Sequence, residues 1–412
     1  MSDWLYRYDG ETEIPKTVTN VVVKDGVTII PELSFYKCTE LVSIELPDTL
    51  ESIEKGAFYG CQKLSSIRLP SSLKRLGERC FWGCTSLSSI HLPSSITNIG
   101  MGAFFVCHSL IAVNIPSSLS KIERYTFNGC TSLTSLYLPS SIREVGESAF
   151  RDCSSLSTIH ISPSMKIIEQ YVFHSCSSLK SIHIPSSITE IRGYVFSECQ
   201  SLSSIILPPF IQVLGDYTFE GCKSLQSIII PSSIKIIGNC AFSTCTSLTS
   251  ITIMSSSSIR TIGKNPFYSC TSIHSIKISL FKNDKHNNHD HHHIMMMINL
   301  LRDVVIENPR LATSPCIQGS CLLPIHLLLM FGCIQTHNNI LHKLVQAAPT
   351  SLTVRDPIYH FYPFLLAACN PRRMIDIGIE EKEHIETIFF ILREAPWVID
   401  VLIRKRSSRI IC

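Results

Sequence analysis

Apolar and polar positions along roughly the first two thirds of the chain follow one repeating pattern. Cysteines at 38, 61, 84, 107, 130, 153, 176, 199, 222 and 245 are each 23 residues apart, and Cys270 follows after 25. A phenylalanine stands three residues before every one of them, from Phe35 through Phe127 to Phe267. Three residues after each cysteine comes Leu41, Leu64, Leu87 and so on to Leu248, with Ile273 last. Further aliphatics fall six and eight residues after the cysteine, as at Ile67 and Leu69 or Ile182 and Ile184. The stretch Leu-x-x-Ile-x-Leu-Pro alternates in the manner of a half-buried strand. Its proline (Pro70, Pro93 or Pro185, for example) cannot donate to a ladder and so ends the strand. A second short extended run follows, such as Ile96-Thr-Asn-Ile99, often closed by glycine (Gly77, Gly100, Gly146). The Ala-Phe-x-x-Cys piece then predicts a turn or a single helical turn. A fixed period of about 20–50 residues is the signature of a solenoid, here with parallel strands stacked about 4.8 Å apart.

The same periodicity sets the domain boundaries. Residues 1–17 do not repeat and carry Trp4, Leu5, Tyr6 and Tyr8, which predicts an N-terminal cap over the exposed end of the solenoid. The repeat proper spans 18–279, beginning with a degenerate rung at Val18, Val21, Val23, Val27 and Ile30. Residues 280–293 form a polar, histidine-rich linker. Beyond it, Ile294, Met297, Ile298, Leu301 and Val305 fall at helical spacing before Pro309. Two similar runs end at Pro349 and Pro396, respectively 40 and 47 residues further on. These predict a small all-α domain over 294–403, followed by a basic tail, 404–412.

The repeat unit Ile-Gly-x-x-Ala-Phe-x-x-Cys-x-Ser-Leu-x-Ser-Ile-x-Leu-Pro, nearly whole at 237–254, resembles the BspA-type leucine-rich repeat family. The resemblance covers about residues 18–279. It implies an α/β solenoid, a right-handed leucine-rich repeat superhelix with a parallel β-sheet on its concave face. It also implies binding and no catalysis; many members of that family are surface adhesins. The segments Leu323-Pro-Ile-His-Leu-Leu-Leu329 and Tyr362-Pro-Phe-Leu-Leu-Ala-Ala368 resemble the first helix of ankyrin repeats, making the predicted C-terminal domain ankyrin-like.

Composition narrows the function classes. A net charge of +3 gives no general case for nucleic acid or membrane binding. The longest apolar run, Cys321 to Ile334, holds fourteen residues, fewer than the roughly twenty a membrane span needs. The N-terminus shows no charged segment followed by an apolar core, and there is no Asn-x-Ser/Thr sequon. With the repeat-locked cysteines read as buried free thiols, the expected compartment is the cytoplasm, with the nucleus as the alternative. Arg404-Lys-Arg-Ser-Ser-Arg409 reads as a solvated tail rather than an import signal. No phosphate loop, nucleophile elbow, His-Glu-x-x-His pair or dinucleotide fingerprint is present, so no enzyme and no cofactor are expected.

The strand register singles out a surface. Residues between the two buried aliphatics face outward: Glu45, Arg68, His91, Asn114, Tyr137, His160, His183, Ile206, Ile229, Thr252 and Lys277. A column of small residues, mostly serine, runs two positions earlier. Arg68, His91, Tyr137, His160, His183, Ile206 and Ile229, with Phe210 in the unusual Pro-Pro-Phe turn, are the candidate partner-binding residues. The expected function is a monomeric, non-enzymatic scaffold binding a protein or peptide on the concave face. The alternative is a metal- or redox-responsive binder. It would use either the linker histidines His286, His289, His291, His292 and His293 or the cysteine column.

Overall fold

The computed structural model describes residues 5–254, 259–273, 275–279 and 317–318. Each rung of the solenoid supplies two short strands and a turn. The first strand column runs through Asn20–Val23, Ser43–Glu45 and Ser66–Ile67 to Ser250–Ile253 and Ser275–Ser279. The second runs from Ile29–Ile30 to Thr261–Ile262. Within these two columns every pairing is parallel, with partners one repeat apart, as in Ile182 with Ile205 and Leu214 with Ile237. The two-residue insertion after Met254 lengthens the offset without breaking either column, pairing Ile236 with Thr261 and Ile251 with Ile276. At the N-terminal end, the strand Leu5–Tyr8 adds to Asn20–Val23. Another strand, Ile317–Gln318, pairs with Ile278 and Ser279.

The interior consists of columns of like side chains. Consecutive phenylalanine rings from Phe35 to Phe267 stack with centroids 4.9–5.9 Å apart and planes within 12° of parallel. Offset stacking at this spacing adds to the burial of each ring. Tyr8 meets the first ring, Phe35, edge-on at 5.3 Å and covers the end of the stack. Beside the rings, each cysteine thiol from Cys61 to Cys270 donates to the carbonyl of the preceding rung's phenylalanine, at 2.9–3.3 Å. A third column donates from side chain to backbone, as where Ser72 Oγ meets Leu50 O and Ser95 Oγ meets Leu73 O, both at 2.6 Å. Where Ser162-Pro163 replaces Pro-Ser, Ser162 takes over that donation, to Ile142 O. On the rungs either side, the hydroxyls of Ser141 and Ser187 are buried without a partner.

The third side of the rung corrects an expectation. The α/β solenoid anticipated from the resemblance is a β-solenoid among the described residues, which contain no helix. Two reverse turns close each rung: Ser34 N donates to Pro31 O, and Cys38 N to Phe35 O. The third residue of each turn has positive φ, Leu33 at 59° and Lys37 at 55°, and this recurs at both positions of every rung through Asn265 and Ser269. A left-handed residue every fourth position cannot belong to an α-helix. Instead the turns stack, with Phe35 N–H donating to Ala57 O and Lys37 N–H to Tyr59 O, each at 2.7 Å. Sixteen of these positions are not glycine, each costing about 1–2 kcal/mol that the ladder must offset. Glycine is needed elsewhere for a different reason: a Cβ on Gly77 would stand 2.5 Å from the Glu54–Lys55 backbone of the rung below. The ankyrin-like helices over 294–403 lie outside the described residues.

Two mutations test this architecture. Phe127→Ala, in mid-stack, is expected to cost about 3–5 kcal/mol, read as a lower urea midpoint; a change under 1 kcal/mol would deny the stack its role. Val106 is a β-branched residue at φ 60°, a conformation glycine adopts freely. Val106→Gly is therefore expected to stabilise the protein, by about 1 kcal/mol after the entropy glycine adds to the unfolded chain.

Candidate interaction surface

The first strand column exposes every second residue. In Ser135–Tyr137, Thr158–His160, Ser181–His183 and Ser204–Ile206 the middle residue is buried and both neighbours are exposed. The alternation is forced from both sides, since residues such as Leu136 and Leu138 belong to the core. Tyr137 pairs with His160, His160 with His183, and His183 with Ile206. Their side chains therefore stand in one line, and the rings of Tyr137 and His160 stack at 4.7 Å. Ile206 is 82% exposed and Ile229, on the next rung, 56%. Phe210 is 65% exposed on the turn after Ile206, where Ile211 N donates to Pro208 O. It occupies the position that holds an inward-donating serine in rungs such as Ser95 and Ser233. Arg68 and His91 are exposed on earlier rungs. They are separated from Tyr137 by Asn114, whose amide exchanges hydrogen bonds with the Leu92 backbone at 2.9 and 3.0 Å.

A second surface was not anticipated from the sequence. On the turn side, half-buried Tyr36, Tyr59, Trp82 and Phe105 stack in succession at 5.2, 5.9 and 3.8 Å. Tyr171, Tyr194 and Tyr217 form a second run at 4.7 and 4.6 Å. Arg79 lies over Trp82 and Arg151 over Tyr171. The signal was present as aromatics two and five residues before the cysteine. Rings stacked face to face present only their edges to solvent, so this row serves the fold before it serves a ligand. Ion pairs on the second column, such as Lys74–Glu51 at 3.0 Å and Lys121–Glu144 at 3.1 Å, are exposed and contribute little, about 0–1 kcal/mol each.

Among the described residues no cluster of His, Cys, Asp or Glu could hold a metal ion, and no helix is long and apolar enough to cross a membrane. The linker histidines His286, His289, His291, His292 and His293 lie outside the described residues.

The family described as the BspA type Leucine rich repeat region matches residues 15–131, 97–226 and 189–289, overlapping stretches that together take in more than half of the 412 residues. Among solved structures, a leucine-rich repeat protein from Bacteroides ovatus is 28% identical over 69% of this chain and 85% of its own, with a TM-score of 0.46. A leucine rich cell surface protein from Faecalibacterium prausnitzii is 26% identical over 58% of this chain and 73% of its own, at 0.35. The T. pallidum leucine rich repeat protein is 30% identical over 44% and 77%, at 0.34. No curated protein matches the chain.

Burial decides what the thiol column can do. It pushes the thiols of Cys107, Cys130 and Cys153 well above their ordinary range, and that of Cys199 up to about 12. A thiol held protonated is neither a nucleophile nor a metal ligand near neutral pH. Alkylation of the native protein should therefore label half-exposed Cys240 before any column cysteine; equal labelling would mean that the column opens. Folding favours the protonated thiols, so their contribution is intact below the unfolded range, about 8.5. It is lost as pH climbs toward about 12, the folded value at Cys199. The urea midpoint is expected to fall across that window, less steeply in Cys130→Ala.

Proposed function

The chain belongs to the BspA-type leucine-rich repeat family, and on that premise we propose that it is a non-enzymatic scaffold binding a protein or peptide on the outward face of its first strand column. One observation carries the reading. Tyr137, His160, His183, Ile206 and Ile229 stand in line on consecutive rungs, exposed, with large apolar side chains at one end. Elsewhere in that column the outward position holds Glu45, Arg68, His91, Asn114 and Thr252, with half-buried Val22 on the first rung. Apolar and aromatic groups gathered on one face are what partner sites use as anchors. Stacking of Tyr137 on His160 orders both side chains before a partner arrives, which lowers the entropy lost on binding. A redox-responsive role for the column cysteines has less support, because burial keeps those thiols protonated. The cytoplasm is the proposed compartment, since a column of S–H donors suits a reducing environment.

The reading is tested by affinity capture from a cell lysate with wild type, Ile206→Asp/Ile229→Asp and Tyr137→Ala. All three side chains point out of the core, so circular dichroism should be unchanged. A partner held by the wild type and weakened about 30-fold or more in either variant is the expected result. Identical partners on all three proteins would overturn it.

A further inference from the structure

The charges of the solenoid are sorted by face. In nine successive rungs, the segment from the cysteine through the first strand and its following turn contains no aspartate or glutamate: residues 61–73, 84–96, 107–119, 130–142, 153–165, 176–188, 199–211, 222–234 and 245–254. The same segments hold Lys63, Arg68, Lys180 and Lys223, and the histidines 91, 108, 160 and 183. Between Cys61 and Met254 all ten carboxylates fall on the rest of the rung, on or beside the second column and the turns. Several are paired there, as Glu144 is with Lys121 and Glu169 with Arg192. Lys63 is tied to Glu40 at 2.6 Å, and Arg68 follows Glu45 one rung earlier in the outward line, but exposed Lys180 and Lys223 have no carboxylate in the same segment of their own or the adjoining rungs. A face with one sign of charge carries a field that selects partners of the opposite sign and speeds their approach.

From this sorting, and resting on the interaction reading above, we infer that the ligand of the first-column face is an acidic peptide segment carrying at least one large apolar side chain. The apolar residue lies against Ile206, Ile229 and Phe210. Carboxylates of the same segment lie toward Lys180, His183, His160 and the basic positions beyond. The fit in length is reasonable: four rung steps from Tyr137 to Ile229 span about 19 Å, the reach of about six extended residues. A polyanion without apolar groups would use the charge but leave the two isoleucines in water. A neutral apolar peptide would use the isoleucines and gain nothing from the absence of carboxylates.

The experiment pans a displayed library of random dodecapeptides against the full chain. Enriched peptides are then measured by fluorescence anisotropy on wild type, Ile206→Ser/Ile229→Ser and Arg68→Glu/Lys180→Glu, in rising salt and with dextran sulfate as competitor. The expected result is a pool rich in Asp and Glu with a recurrent large apolar residue. Both variants should then bind about tenfold more weakly, which is a loss of about 1.4 kcal/mol. The charge-reversed variant should also lose most of its salt dependence. A pool that depends on the isoleucines but is neutral or basic overturns the acidic class and leaves the interaction reading standing. An acidic pool indifferent to both variants overturns the face itself, and the interaction reading with it. Displacement by dextran sulfate with no effect of the isoleucine changes assigns a general polyanion site and overturns the peptide. No enrichment at all overturns the inference as well.

Discussion

Stacking of each rung on the next in a single register constrains everything else in this protein. A phenylalanine ring at 5 Å from its neighbour on both sides can be replaced by no other shape without opening a gap in two interfaces at once. The thiol beside it is bound similarly: it must be small, apolar enough for full burial, and able to donate to the carbonyl of the rung below. Cysteine meets all three demands, and serine would meet the third at a larger desolvation cost. Repeats that touch only their neighbours share stability along the array, so one weak rung weakens two interfaces. This explains why the Phe, Cys and Leu columns run almost without exception while the outward positions are free of that packing constraint.

The turns show how such an array tolerates local cost. Two left-handed residues per rung, most of them not glycine, would be hard to sustain in an isolated loop. Here those from Leu33 to Thr244 are held by hydrogen bonds to the turn of the next rung, and tyrosines at 171, 194 and 217 recover part of the cost by stacking on one another. The same position that strains the backbone therefore supplies the second of the two aromatic runs on the turn side, while Tyr36, Tyr59, Trp82 and Phe105 stand one residue before the other left-handed position of their rungs. Strain and stacking are two consequences of one backbone geometry, and neither requires a ligand.

What could be read from the chain follows from this. Inward columns were legible because each demands one residue type: Phe35 to Phe267, Cys38 to Cys270, Leu41 to Leu248. Strand register was legible because a shift of one residue would have buried Arg68 and Tyr137 and exposed Leu69 and Leu138, which the alternation forbids. The turns were not legible. Positions 33, 79, 125, 148 and 171 hold Leu, Arg, Tyr, Ser and Tyr, residues with no common preference for positive φ, so the single helical turn remained an open option until hydrogen bonds closed it. The candidate face was legible residue by residue, but not the stacking of Tyr137 on His160. That depends on two side chains choosing the same direction across a strand pair.

Function in such a fold has to come from the positions that packing leaves free. Packing fixes the inner residues of the first column and says nothing about the outer ones, yet the outer ones are not random. Carboxylates are abundant on the second column, where Lys74 and Lys121 pair with them, and absent from the first over nine rungs. Strand geometry cannot be the cause, because both columns are parallel, half-exposed and built on the same spacing. Nor does solubility demand it, since serine there does the work that charge does elsewhere. The first column's outward line thus differs from the second in chemistry and not in structure.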